Sequence, residues 1–177
     1  MRVIAGTLGG RLFNSPRGHR THPMSDKMRG ALFNMLGDID DYTVLDAFSG
    51  TGALAFEAIS RGAASALAIE QDRNAQRTLA ENIDLLGLGS QVRLIKAGAG
   101  SWLRRSRESF DLILLDPPYD DLQYDLIESL ASVCKVGGRL VLSWPGKQEI
   151  LPRFGKFELL SNKSYGDGSL RVYERKV

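Results

Sequence analysis

From Tyr42 onward the chain alternates between two hydrophobic rhythms. Short apolar runs read as buried strands: Thr43-Val44-Leu45-Asp46, residues 66–70, 92–96, 110–115 and 139–144. Between them the apolar residues take helical spacing. One helix is predicted over residues 53–61. Asp72 caps a second, whose stripe is Ala75, Leu79, Ile83 and Leu86. A short one surrounds Trp102 and Leu103, and another covers 122–133, with Gly137-Gly138 as a turn before the next strand. Two late strands, near 157–161 and 170–175, flank Gly166-Asp167-Gly168, a good hairpin turn, so this pair is antiparallel. The pattern predicts an α/β fold: a doubly wound, mostly parallel sheet with an antiparallel C-terminal strand pair.

The first residues follow neither rhythm. Arg2-Val3-Ile4 and Arg11-Leu12-Phe13 suit a small hairpin, and residues 14–23 read as a loop. Ser25 then reads as an N-cap, with Asp26 well placed for the helix dipole. Met28, Leu32, Met35 and Leu36 share one helical face, with Phe33 beside it, and Gly37 ends the helix. This divides the chain into an extension over 1–37 and a body over 38–177.

Charge sharpens that division. The net charge is only +2. Yet the first 36 residues carry Arg2, Arg11, Arg17, Arg20, Lys27 and Arg29 against Asp26 alone. A basic extension on a mildly acidic body predicts contact with a polyanion through these six side chains; the plainer alternative is a solvated tail. Lys27 and Arg29 are expected to project from the first helical turn. The composition, 43% hydrophobic and 25% charged, is that of an ordinary globular protein. No apolar run approaches the roughly 20 residues of a membrane span, and the first residues lack a signal peptide's apolar stretch. The single Cys134 excludes an internal disulfide and a cysteine zinc cluster. His19 and His22 have no further ligands nearby, so no metal is expected. All of this predicts a cytoplasmic protein.

Candidate chemistry sits where strands end. In open α/β sheets, ligands bind beyond the carboxyl ends of the strands. The first strand runs into Ala47-Phe48-Ser49-Gly50-Thr51-Gly52, and with Ala55 this fits the G-x-G-x-x-A dinucleotide fingerprint. Glu70, at the end of the second strand, stands where a ribose-binding acid belongs. Asp46 decides between ligands. A carboxylate there repels the pyrophosphate of a dinucleotide and attracts the ammonium of S-adenosylmethionine. Ser49, Gly50, Thr51 and Gly52 would cradle that ligand, Glu70 would accept from its ribose hydroxyls, and Gln71, Ala97 and Gly98 would border its adenine.

The fourth strand runs into Asp116-Pro117-Pro118-Tyr119. Two prolines stiffen the loop and stop the strand. An acceptor beside a flat ring suits a planar ligand with an amino group, such as a nucleobase. Taken alone, the tetrapeptide fits a strand-ending turn with a solvated Asp about as well.

Asp46 to Gly52, Glu70 and Asp116 to Tyr119, in this order, resemble the class I amino-methyltransferases with a D/N-P-P-Y/F signature. Arg2-Val3-Ile4-Ala5-Gly6, Gly10-Arg11-Leu12 and residues 23–34 narrow the likeness to the RsmD family, bacterial 16S ribosomal RNA guanine-N2 methyltransferases. The resemblance covers nearly the whole chain. It implies a Rossmann-like fold, S-adenosylmethionine as cofactor, and 16S ribosomal RNA as partner, naked or in an assembling small-subunit particle. It gives Asp116 and the Pro117 carbonyl the task of holding the guanine amine, and Tyr119 that of stacking on the base. The chain departs from the family at His22 and Met24, at Gly30, and at Gly98, where the family often carries Asp or Asn. A DNA adenine-N6 methyltransferase, a nicotinamide-dependent oxidoreductase and a non-catalytic RNA-binding protein are the rival readings. D-P-P-Y does not separate guanine from adenine.

Overall fold

The computed structural model describes residues 1–15 and 23–177. Five helices and seven strands follow the order α1 (Asp26–Leu36), β1 (Thr43–Asp46), α2 (Ala53–Ser60), β2 (Ser65–Glu70), α3 (Arg73–Leu86), β3 (Val92–Lys96), α4 (Ala99–Leu103), β4 (Phe110–Leu115), α5 (Tyr124–Leu130), β5 (Cys134–Pro145), β6 (Phe157–Tyr165) and β7 (Gly168–Arg175). The strands form one sheet in the order β3-β2-β1-β4-β5-β7-β6. The first five pair in parallel; β7 runs antiparallel between β5 and β6. This is the doubly wound Rossmann-like architecture that the alternation of strand and helix predicts. The chain winds outward through β2 and β3, then crosses to β4. The topological switch therefore lies between β1 and β4.

Alternation along the strands assigns the two faces. Val44, Ala66, Ala68, Leu112, Leu114 and Val141 pack with α2, α3 and the N-terminal extension. Leu45, Leu67, Ile113, Leu115, Leu140 and Leu142 pack beneath α4 and α5. Asp46, Glu70, Asp116 and Ser143 have the parity of the first set, so the ends of four strands turn polar residues toward the face that carries the extension.

Local signals explain the helix starts. The Ser25 hydroxyl accepts from the Met28 amide at 3.1 Å, and the Asp72 carboxylate accepts from the Ala75 amide at 2.8 Å. In the extension, a single antiparallel bridge joins Arg2 to Leu12 in place of a full hairpin. Its apolar residues Val3, Phe13, Leu32, Phe33 and Leu36 share one core with the body.

The predicted turn at Gly137-Gly138 is instead a bulge inside β5. Phe110 pairs with Cys134 and Leu112 with Arg139, so β5 advances five residues while β4 advances two. An added Cβ on Gly138 would lie 2.9 Å from the Asp111 carbonyl oxygen, and only a residue without one lets the strands close up here. The helix predicted over 122–133 divides into α5 and a 3-10 turn at Ala131–Val133. The last strands are longer than expected because, beyond an irregularity between Leu159 and Ser161, their hairpin goes on pairing up to the turn. Cys134 is buried in the core.

Candidate active site

β1 and β4 pair with Asp46 opposite Leu114, so Asp46 and Asp116 end adjacent strands at the switch point. Asp46 is completely buried, and neither carboxylate oxygen has a hydrogen-bond partner. Burial first, then the nearby charges of Asp116 and Glu70, push its pKa up to about 7. Ser49 and the Ala55 amide soften that rise, but the Ser49 hydroxyl spends its hydrogen bond on the Asp46 main-chain oxygen at 2.8 Å. A buried carboxylate without partners is costly. Its free oxygens suit a cationic ligand with N–H donors.

The glycine loop wraps this acid. Gly52 adopts a left-handed φ of 97°, and an added Cβ would collide with Leu79 Cδ1 and Phe56 Cζ, each 2.4 Å away. Its place is therefore set by packing of α2 and α3 as well as by the turn. Gly50 faces open space. Thr51 is buried and directs its hydroxyl to the Met1 sulfur at 3.7 Å. Glu70 accepts from the Gly50 amide at 2.7 Å and the Asp72 amide at 2.8 Å. Each of its oxygens keeps a second lone-pair direction. The acid thus holds the glycine loop, an assignment that spacing alone does not reveal. Desolvation raises its pKa. Ala97 and Gly98 follow β3, and the space beside Gly98 is bounded by Gln71 Oε1, 3.3 Å from where a Cβ would stand.

Across the switch, Asp116 is partly exposed and Pro117 is buried. Burial raises the Asp116 pKa to about 6, and the Ser143 hydroxyl works against that rise. Tyr119 is 42% exposed, while its hydroxyl bonds the buried Ser143 hydroxyl at 2.8 Å. The ring therefore presents an accessible surface on a fixed anchor, the geometry of a stacking platform. Among the described residues, no group of three or more His, Cys, Asp or Glu side chains is arranged to hold a metal ion.

The basic extension divides. Arg29 does not project: it is completely buried, donating to the Arg2 carbonyl at 2.6 Å and the Asp26 carboxylate at 3.0 Å, with Glu57 at 3.8 Å. It cannot serve as a nucleic-acid contact, because its guanidinium is enclosed beneath α1. Arg2, paired with Asp26 at 3.2 Å, and Arg11, donating to the Leu85 carbonyl at 3.1 Å, remain exposed. Lys27 is also exposed. Arg17 and Arg20 lie outside the described residues.

Three side chains escape a motif-based reading. Glu57 of α2 is fully buried and accepts from the Ile4 and Ala5 amides and from Arg61 Nε, at 2.8, 3.1 and 2.8 Å. Asn82 of α3 exchanges two bonds with the Asn14 backbone, at 2.7 and 3.1 Å, and donates to the Thr51 carbonyl at 3.0 Å. The third is Ser143, whose only signal is a hydroxyl in the apolar run Leu140-Val141-Leu142-Ser143-Trp144.

A family profile described as "Conserved hypothetical protein 95" matches residues 1–174. Ribosomal RNA small subunit methyltransferase D of Haemophilus influenzae is 30% identical over 98% of this chain and 93% of its own. The Escherichia coli K12 protein of that name is 37% identical over 67% of this chain and 60% of its own. The solved structure of the Escherichia coli protein yhhF superposes with a TM-score of 0.89 at 29% identity, covering 99% of this chain and 98% of that one. The match to the profile spans both the extension and the strand-end site, and the chain belongs to the RsmD family of methyltransferases.

Proposed function

We propose that this protein transfers a methyl group from S-adenosylmethionine to the exocyclic N2 amine of a guanine in 16S ribosomal RNA, in the cytoplasm. One observation carries the cofactor: the buried, unpartnered carboxylate of Asp46 at the switch point. It suits the methionine ammonium. Ser49, Gly50, Thr51 and Gly52 shape the wall around it, Glu70 meets the ribose hydroxyls with its remaining lone pairs, and Gln71, Ala97 and Gly98 border the adenine. The bound cofactor supplies an electrophilic methyl group on a sulfonium.

The chain's own work is positioning. A guanine amine is a poor nucleophile because its lone pair is delocalised into the ring. Asp116 and the Pro117 carbonyl each accept one of its N–H bonds, which favours a pyramidal nitrogen with a localised lone pair. Tyr119 stacks on the base, which must leave its own stack to reach the loop. Ionised Asp116 is the better acceptor; the amine becomes acidic only after methylation, so no strong base is needed beforehand. Residues 1–37 form the RNA-docking part and 38–177 the cofactor-binding and catalytic part. Arg2, Arg11, Lys27, Arg17 and Arg20 hold phosphates and give register rather than base identity.

The test is tritiated methyl transfer to small-subunit particles and to naked 16S RNA, followed by nucleoside identification. N2-methylguanosine is expected, on particles if the short extension needs a preformed surface. N6-methyladenosine, or no product on either substrate, overturns the reading. Calorimetry should show binding of S-adenosylmethionine and none of NAD.

A further inference from the structure

The strand-end clamp is tied to the neighbouring strand, β5, by one hydroxyl. Leu115 of β4 pairs with Leu142 of β5, and the same register continued by one residue sets Ser143 beside Asp116. Ser143 is buried and bonded to the Tyr119 hydroxyl at 2.8 Å. A hydroxyl has one proton to donate and lone pairs to accept with. An ionised carboxylate can only accept. With Tyr119 donating to Ser143, the Ser143 proton is left free for the neighbouring Asp116 carboxylate, whose ionised form it favours.

A second observation shows that the tyrosine hydroxyl occupies a built socket. Gly168 opens β7, and a Cβ there would lie 2.8 Å from the Tyr119 hydroxyl oxygen and 3.6 Å from Met28 Cε. Gly168 is not among the glycines with positive φ, so the backbone does not call for glycine at this point. The Tyr119 hydroxyl does. β7 pairs Gly168 with Pro145 and Leu170 with Ser143, which puts the socket's two walls on neighbouring strands. Tyr119 is thus held at both ends: by its proline loop and by the end of the sheet.

We propose that Ser143 is a positioning residue for methyl transfer, locking Tyr119 and Asp116 into one hydrogen-bonded unit whose spacing matches a base and its amine. The inference rests on the function proposed above and adds a residue to it. It also explains why tyrosine rather than phenylalanine stands at 119: phenylalanine keeps the ring but leaves Ser143 and the space at Gly168 without a partner. The titratable groups facing Asp116 are Asp46 from β1 and Tyr119 from its own loop.

The test compares Ser143→Ala, Ser143→Thr, Tyr119→Phe and the double variant Ser143→Ala/Tyr119→Phe with the wild type. Readouts are kcat, KM for RNA, the dissociation constant for S-adenosylmethionine and the pH profile of kcat/KM. Ser143→Ala should lower kcat about tenfold, the loss of a hydrogen bond to a charged group, with cofactor affinity unchanged. Its acid limb should move to higher pH, because the hydroxyl that favours ionised Asp116 is gone. Tyr119→Phe should raise KM for RNA several-fold and leave the acid limb in place. Ser143→Thr should restore both. The double variant should lose less than the product of the single losses, since the two share one bond. Ser143→Ala with wild-type kcat, KM and pH profile overturns the proposal while leaving guanine methylation standing. Wild-type methylation of another base, with the Ser143 pattern intact, overturns the functional reading alone. A wild type that methylates nothing overturns both.

Discussion

Two acids are buried on the same side of the molecule, and they are treated in opposite ways. Glu57, on α2, receives two backbone amides and an arginine, with Arg29 close by. Neither carboxylate oxygen of Asp46, at the end of β1, has a hydrogen-bond partner. Both are completely buried. The first fastens the N-terminal extension to the body. The second leaves a desolvation cost that a ligand can relieve. The contrast separates a carboxylate that serves the fold from one that the proposed function assigns to the cofactor, although both are acids set among apolar neighbours.

The comparison can be broken at several points. The largest effect is expected on the reaction side: Asp116→Ala should lower kcat by at least about a thousandfold while cofactor affinity stays within a few-fold, because positioning of the amine is lost. Single-turnover methyl transfer and calorimetry measure the two quantities. On the fold side, Glu57→Gln breaks the buried carboxylate's pair with Arg61, leaves Arg29 with Asp26 alone, and should cost about 3 kcal/mol. Thermal unfolding should then begin roughly 6–12 °C lower, and the folded fraction should keep its kcat.

Asp46→Asn should behave in the opposite sense. Cofactor affinity should fall about tenfold or more with loss of the charge pair, while the ligand-free protein holds or gains stability. pH sharpens this. The unfolded acid releases its proton near 3.8, whereas the folded one holds it until about 7. Between those values the folded state binds more protons, so this group's contribution to stability declines as pH rises through the window. Denaturant titrations at pH 4 to 7 should show the decline in the wild type and a flatter curve in Asp46→Asn. Cofactor binding by the wild type should weaken below about pH 7, as Asp46 takes up its proton. The smallest effect belongs to the surface: replacing Arg11 and Lys27 with alanine should weaken RNA binding a few-fold and flatten its salt dependence by about two phosphate contacts.

Sequence periodicity carries the succession of strands and helices and the antiparallel last pair, since turn residues bound the apolar runs and Ser25 and Asp72 cap α1 and α3. It also contained the correction at Arg29. Leu32, Phe33 and Leu36 stand three, four and seven residues beyond it, the spacing of one buried face, and a residue at that position is inside whatever its charge. Asn82 falls in the Leu79–Ile83–Leu86 stripe for the same reason. Glu57 was less legible, because its partners at Ile4 and Ala5 lie more than fifty residues away and meet it only through the tertiary fold. At the strand ends, Asp46 and the D-P-P-Y loop announced themselves by breaking apolar runs. Ser143 breaks one too, but a lone serine carries no charge and no stiff neighbour to mark it.

The bulge at Gly137-Gly138 acts as a phase setting. Side chains on a strand change face at every residue, so the extra length absorbed there decides which of Leu142, Ser143 and Trp144 looks toward Asp116. Removing one residue from the bulge would leave every motif intact and hand the clamp a hydrocarbon where it now has a hydroxyl. A stretch with no chemistry of its own, at the opposite end of the strand, thereby keeps the proposed clamp in frame.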